Sequence, residues 1–303
     1  MDGFDVSVVI PAYNAEAYVT EAVGSALSQT LPPREVIVVD DGSTDGTRES
    51  LEQFGARIRI IGKPNGGLSA ARNTGIRAST GQWIAFLDAD DLWSPRKLDV
   101  VSRALQANAG AGLVFSAVRY FWDGADSGKE DYVRRRESPD CQGIRFELMA
   151  RNVVLGGGSG PVVRREALLQ VGLFDEALTS AEDWDAWIRL AWQCEFVYVE
   201  EPLTYRREHA LSMSRNISRM LENDLRVFGK YEAMYRASGI GSYRLRRAKA
   251  AVYSRSGVMY FCSGQTCKAR AALTAALRLD PLNVQALVPM AKLLLGLRPW
   301  EAH

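Results

Sequence analysis

Trp83-Ile84-Ala85-Phe86-Leu87-Asp88-Ala89-Asp90-Asp91 is an apolar run that stops abruptly in three carboxylates. Five residues without a charge predict a buried strand, and an Asp-x-Asp at its carboxyl end sets hard oxygen ligands where open α/β sheets bind substrates. Mg2+ and Mn2+ prefer few carboxylates together with phosphate oxygens and water, so two or three Asp suit a divalent cation carrying a diphosphate. A solvated acidic turn is the plainer alternative for the same residues.

Working outward, Val6-Ser7-Val8-Val9-Ile10 is β-branched and ends at Pro11, and Ala15 to Gln29 has helical spacing through Ala22, Val23, Ala26 and Leu27. A second strand, Glu35 to Val39, runs into Asp40-Asp41-Gly42-Ser43-Thr44-Asp45, followed by a helix from near Thr44 past Leu51 and Phe54. Ile58 to Ile61 offers a third strand and Ser69 to Ala78 a helix. Alternating buried strands and amphipathic helices predict a largely parallel sheet with right-handed crossovers.

Between Asp123 and Pro139 the sequence turns polar, with Arg134-Arg135-Arg136, and predicts an exposed loop or lid. Gly156-Gly157-Gly158-Ser159-Gly160 marks a backbone that bends sharply, approaches a ligand closely, or is simple slack. From Arg215 onward the pattern is helical and its β-branched runs disappear. Ala269 to Pro281 is similar to the second helix of a tetratricopeptide-type hairpin; one such unit cannot build a solenoid, so a packed helical appendage or partner surface is expected. The expected domains are therefore residues 1–214 and 215–303.

The chain has 303 residues, 47% of them hydrophobic, enough for a packed core in one large or two smaller domains. Cys141, Cys194, Cys262 and Cys267 lack zinc spacing, which favours a reduced cytoplasmic setting. No basic and apolar leader follows Met1, and Leu293 to Leu297 is too short to span a bilayer. Through Ser214 there are 22 basic and 31 acidic residues, and after it 15 and 5. That basic segment suits an anionic membrane surface or an acidic acceptor, with ordinary solvated helix faces as the alternative. No nucleic-acid partner is expected.

Val9-Ile10-Pro11-Ala12-Tyr13-Asn14, Val38-Val39-Asp40-Asp41-Gly42-Ser43, Asn65-Gly66-Gly67-Leu68-Ser69-Ala70-Ala71-Arg72-Asn73-Thr74-Gly75 and the Asp-x-Asp together resemble the family 2 glycosyltransferases over about residues 5 to 211. The resemblance implies a GT-A fold, a Rossmann-like mixed sheet with helices on both faces, here with a C-terminal all-α appendage. It also implies a nucleotide-diphosphate sugar donor, usually with inversion at the anomeric centre.

On that resemblance Pro11, Ala12, Tyr13, Asp41, Asn65, Gly67, Arg72, Asp88 and Ala89 are expected at the nucleotide sugar. Tyr13 can offer an aromatic face to a base, or serve as core. Asp41 can accept from an imide N–H or a ribose hydroxyl, or act as a turn residue. Arg72 can fork onto phosphate oxygens, with a surface salt bridge as the alternative. The resemblance assigns Asp90 to the metal and Asp88 to metal or ribose, Asp91 supporting them from behind. His209, in Arg206-Arg207-Glu208-His209, either completes the metal site or is a solvated loop residue.

Ser180-Ala181-Glu182-Asp183-Trp184 resembles the family's Glu-Asp motif, which makes Asp183 the general base; Ser180-x-x-Asp183 also reads as a helix capping box. Gly157, Gly158, Glu182 and Trp93 are placed on the acceptor side. Trp93 can stack on a sugar or pack in the core, while Trp184, Trp187 and Trp192 read as core. The expected activity is metal-dependent inverting transfer from a nucleotide sugar, UDP-linked by preference, to a glycan or lipid-linked acceptor. That fits cell-surface polysaccharide synthesis in the cytoplasm or at the inner membrane face. Two alternatives are a nucleotidyltransferase, though no Gly-rich basic loop near the first strand is present to hold a triphosphate, and a non-catalytic module that recruits partners.

Overall fold

The computed structural model describes residues 4–122, 131–136, 141, 143–209 and 216–299. The chain divides into two compact units, Met1–Ile144 with Val153–Ala210, and Arg145–Asn152 with Leu211–His303. In the first unit β1 (Val6–Ala12), α1 (Val19–Leu27), β2 (Glu35–Asp40), α2 (Thr47–Glu52), β3 (Arg59–Gly62), α3 (Leu68–Ala78) and β4 (Trp83–Phe86) follow the expected alternation. β5 (Leu92–Trp93), α4 (Lys97–Ala107), β6 (Ala111–Trp122), β7 (Tyr132–Arg134), α5 (Ile144–Glu147), β8 (Val162–Arg164), α6 (Arg165–Gln170), α7 (Glu182–Ala191) and β9 (Glu195–Glu208) complete it, α5 running into the second unit.

The sheet has nine strands in the order β3-β2-β1-β4-β8-β6-β9-β5, with β7 paired to β6. β3, β2, β1 and β4 are parallel. β8 then runs antiparallel to both β4 and β6, so the sheet is mixed, not largely parallel throughout. Successive side chains of a strand face opposite sides, and here both sides are covered. Val6, Val8, Ile10, Val36 and Val38 pack with Val19, Ala22, Val23 and Ala26 of α1, while Ile37 and Val39 pack with Ala71 of α3.

Pro11 lies inside β1, where a missing N–H normally breaks a ladder. The Val9 carbonyl accepts from Leu87 N on the β4 side, so Pro11, two residues on, turns to the same side after β4 has ended. No ladder bond is lost there. Gly75 lets α3 press on β1, since a Cβ there would stand 2.3 Å from Val9 Cγ1. Gly75→Ala is therefore expected to lower unfolding stability by about 1–3 kcal/mol in urea titrations, overpacking outweighing the better helix propensity of Ala.

Residues 123–130 and 137–140 of the expected polar loop lie outside the described residues. Tyr132–Arg134, expected as loop, is strand: Tyr120 pairs with Tyr132 and Val118 with Arg134. Arg145–Asn152, expected with the N-terminal domain, belongs to the second unit, where Tyr235 Oη donates to the Arg145 carbonyl at 2.8 Å.

The second unit adds α8 (Ile217–Ala237), α9 (Ser242–Cys262), α10 (Thr266–Leu279) and α11 (Val284–Leu294). Asn216 and Asn283 cap α8 and α11 by accepting from Arg219 N and Ala286 N. The small residues Ala269, Ala272 and Ala276 are buried, and a Cβ on Gly257 would meet Leu273 at 2.7 Å, so α9 and α10 approach closely. Cys262 and Cys267 lie at facing ends of α9 and α10, both exposed and unbonded to each other. Among the described residues no helix is long and apolar enough to cross a membrane.

Candidate active site

β4 delivers the acidic cluster at its carboxyl end, beside the ends of β1 and β2. Asp91 is buried: its carboxylate accepts from Ser159 Oγ at 2.5 Å and from Arg207 N at 2.9 Å. Burial, with the Asp90 charge next to it, pushes its pKa up to about 8. It thus braces the turn from behind. Asp90 stays open on its outer side and its Oδ2 lies 3.0 Å from His209 Nε2. Arg207 holds the Asp90 carbonyl through Nε, and the Tyr18 ring packs on that of His209 at 5.0 Å. His209 follows β9 directly instead of sitting in a solvated loop.

Arg72 is buried on α3, and its two terminal nitrogens donate to Asp88 Oδ1 at 2.6 Å and Glu182 Oε1 at 2.7 Å. Its guanidinium also stacks over Phe174 at 5.4 Å. The surface placement of Arg72 is corrected: it is buried, and its terminal nitrogens pair with two carboxylates. On the same helix Asn73 donates to the Phe174 carbonyl and accepts from Phe174 N, fixing the ring under Arg72.

The donor chemistry fits one divalent cation completed by phosphate. Among the described residues no set of three His, Cys, Asp or Glu side chains gathers around a single point. Asp90 and His209 are aimed at one another, whereas Asp88, expected as a further ligand, is turned toward Arg72. Two protein ligands with diphosphate oxygens and water are what Mg2+ or Mn2+ takes in such sites.

Asp183 occupies the first turn of α7, where the exposed N–H groups favour a carboxylate. Ala181 stands at the N-cap and makes no side-chain cap bond of its own, and Asp183 Oδ1 accepts from Trp184 N at 2.7 Å. Desolvation in the site wall, with the Glu182 charge beside it, pushes the Asp183 pKa up to about 7. Ala181 holds the left-handed conformation at φ 60°, a strain of about 1–2 kcal/mol for a residue with a Cβ. That kink turns Glu182 toward Arg72. Trp184 and Trp187 are buried, as expected.

Between the acidic cluster and Asp183 runs the glycine segment, a close approach and not slack. A Cβ on Gly158 would stand 1.7 Å from Arg72 Nη2 and 3.0 Å from Asp88 Oδ1. On Gly157, at φ +54°, it would face Arg206 Nη1 at 3.5 Å and Asp183 Oδ2 at 3.6 Å. Gly158→Ala is expected to break the Arg72–Asp88 contact and cut turnover at least about tenfold, since a misplacement near 1 Å can cost about 100-fold. Steady-state kinetics beside a thermal melt checks this.

Trp93, expected either as a sugar platform or as core, packs in the core. It is buried, its Nε1 donates to the Ser159 carbonyl at 3.0 Å, and Lys97 Nζ covers its ring at 4.5 Å. Lys97 itself is fully buried and donates to the carbonyls of Ser159 and Gly160 and to Thr204 Oγ1. It pins the glycine segment to β9, and desolvation holds its pKa well below the usual lysine range.

At the end of β1 Pro11 and Ala12 are buried, while Tyr13 is 52% exposed and presents its ring outward. Asp41 is buried and accepts from Lys63 Nζ at 2.5 Å, Gly66 N at 3.0 Å and Gly67 N at 2.8 Å. Its carboxylate thereby shapes the Asn65-Gly66-Gly67 loop, which stays exposed at the mouth of the site. Gly42, at φ +78°, brings the two loops together, as a Cβ would meet Asn65 N at 2.8 Å. Ala89 is buried under the acidic turn.

Ser159, Lys97, Arg206 and Arg207 are site residues that sequence reasoning missed. Ser159 and the arginine pair stand inside quoted motifs, but their partners are brought in from distant segments. Lys97 carries no local signal at all.

The fold is shared with Staphylococcus aureus TarS residues 1–349 in complex with UDP-GlcNAc, at TM-score 0.58 and 16% identity over 97% of this chain and 92% of that one. It is shared as well with the mannosyltransferase PcManGT from Pyrobaculum calidifontis in complex with GDP-Man and Mn2+, at TM-score 0.57 and 21% identity over 97% and 81%. With the parallel strands and the mixed outer sheet, these likenesses define the fold as GT-A. In sequence, the profile of glycosyl transferase family 2 matches residues 7–172, and the chain belongs to that family. An uncharacterized glycosyltransferase of Rickettsia felis is 29% identical over 215 residues, 70% of this chain and 36% of that protein. One from Haemophilus influenzae is 29% identical over 208 residues, 67% and 68% of the respective chains. The chain spans about a third of the length of the Rickettsia felis, Rickettsia conorii and Rickettsia bellii proteins it matches.

Proposed function

We propose that the chain transfers a sugar with inversion from a nucleotide-diphosphate donor, UDP-linked, to a glycan or lipid-linked acceptor in cell-surface polysaccharide synthesis. One observation carries this reading: the Asp183 carboxylate and the Asp88 carboxylate flank the same glycine segment, and Arg72 ties Asp88 to the residue before Asp183. Tyr13 and the Asn65-Gly66-Gly67 loop offer the base and the phosphates a surface, Asp41 acting by shaping that loop. Asp183 takes the proton of the acceptor hydroxyl as its oxygen bonds to C1, and the bond from C1 to the diphosphate oxygen breaks on the opposite side. Mg2+ or Mn2+, when bound at Asp90 and His209, supplies positive charge for the departing diphosphate.

The complexes of TarS with UDP-GlcNAc and of PcManGT with GDP-Man and Mn2+ support the donor class and the ion. A panel of UDP- and GDP-sugars with Mn2+ or Mg2+ tests the reading: release of nucleoside diphosphate is expected. Pyrophosphate release would identify a nucleotidyltransferase instead, and absence of UDP binding in calorimetry would leave a non-catalytic module. The exposed Arg244, Arg246, Lys268, Arg270 and Arg278 of the C-terminal helices are proposed to rest on the anionic inner membrane surface. Flotation with anionic vesicles at low salt should carry the protein upward, and neutral vesicles should not.

A further inference from the structure

The wall of the site continues outward across three neighbouring strands. Arg206 on β9 stands opposite Tyr120 on β6, and Tyr120 stands opposite Tyr132 on β7. Residues directly opposite on paired strands project from the same face, so these three side chains form one row. The row is in contact along its length: Arg206 Cζ lies 5.9 Å from the Tyr120 ring centroid, and the rings of Tyr120 and Tyr132 are parallel within 2° with centroids 4.7 Å apart. Its inner end is the catalytic centre, because Arg206 and Asp183 face the same side of Gly157. Its outer end is open. Tyr120 is 7% exposed and Tyr132 is 40% exposed.

A cross-strand aromatic pair stabilises a sheet by about 0.2–1 kcal/mol, and that gain comes from covering both rings. Here one ring is covered and the other is presented. Glu208, Arg134 and Arg206, the polar groups on the face of Tyr132, are of complementary kind. Glu208 lies two residues beyond Arg206 and Arg134 two beyond Tyr132, so both share the face of the row. Glutamate only accepts hydrogen bonds and arginine only donates them. An apolar ring face bordered by one acceptor and two donors matches a pyranose, whose C–H face packs on an aromatic ring while its hydroxyls reach the rim. With strands about 4.8 Å apart, β7 lies about 10 Å from β9, back from the reacting hydroxyl along an acceptor chain.

We propose that Tyr132, backed by Tyr120 and bordered by Arg134, Arg206 and Glu208, is a stacking subsite for a pyranose ring of the acceptor, which makes the acceptor a glycan. This rests on the reading of Asp183 as the base, and the experiment scores the two separately. Saturation-transfer NMR on the full chain with UDP and Mg2+ uses methyl β-glucoside, maltose and N,N′-diacetylchitobiose as probes and needs no turnover. At least one sugar should receive saturation on its C–H protons. Tyr132→Phe should retain that signal, and Tyr132→Leu, which keeps an apolar strand residue but loses the ring, should weaken binding about fivefold to tenfold. UDP affinity by calorimetry should be equal in all three proteins. Equal sugar binding in the Leu variant, or no sugar binding to the unaltered protein, overturns the proposal. If the Leu variant loses UDP affinity as well, Tyr132→Trp decides: retained or tighter sugar binding supports the stack, and loss overturns it. Failure of UDP to bind at all counts against the donor reading and leaves the sugar signal to be scored alone.

Discussion

Asp183→Asn lowers kcat by about 100- to 10,000-fold and leaves the affinity for nucleoside diphosphate unchanged, the range by which a positioned base contributes. Asparagine keeps the size of the side chain, and its oxygen can still accept from Trp184 N, so the start of α7 should survive. What disappears is the group that takes the proton. The pH dependence gives the same residue a second signature. A base works only when unprotonated, and desolvation together with Glu182 pushes this carboxyl up to about 7. The rate is therefore expected to fall as pH drops through about 7 and to level off above it. In the asparagine variant that limb should be gone. A variant with full turnover, or one that keeps the limb, would move the base elsewhere.

Asp90→Asn fails differently. Among the described residues no Lys or Arg pairs with this carboxylate, which meets the His209 ring, so its loss should spare folding and strike the ion and the donor together. Removing a partner that only supports a metal ligand already costs about 10- to 100-fold in metal affinity, and loss of a direct ligand should cost at least that much. Mn2+ titration followed by water-proton relaxation reads the ion, and calorimetry with UDP, with and without Mn2+, reads the donor. The unaltered protein should bind UDP more tightly with the ion present, and the variant should show little difference. Unchanged Mn2+ binding would remove Asp90 from the site.

β1, β2 and β4 were legible because each is a short apolar run between helical periods, and burial on both faces needs no distant information. β8 and the pairing of β6 with β9 were not. The Val162–Arg164 strand is three residues long, and its reversal of direction between β4 and β6 depends on partners dozens of residues away. The same distinction runs through the site. Asp90 and His209 could be named, since each sits in a recognisable motif, and the fold brings them to 3.0 Å. Arg72 could be named but its partner could not: Glu182 is 110 positions away, and only packing shows that the guanidinium is already occupied. Trp93 was ambiguous for the same reason, its ring face being taken by Lys97, a residue with no motif around it.

Arg72 joins the two ends of the chemistry with a single planar group, and that constrains what could ever replace it. A lysine carries one compact ammonium and cannot lie bidentate between two separate carboxylates, so it would serve Asp88 or Glu182 and strand the other as a lone charge out of water. Asp88 and Glu182 are thus held as a pair, which on the proposed reading couples the donor side to the base. Drift in one must be answered in the other, and the arginine between them keeps both halves of the reaction in register.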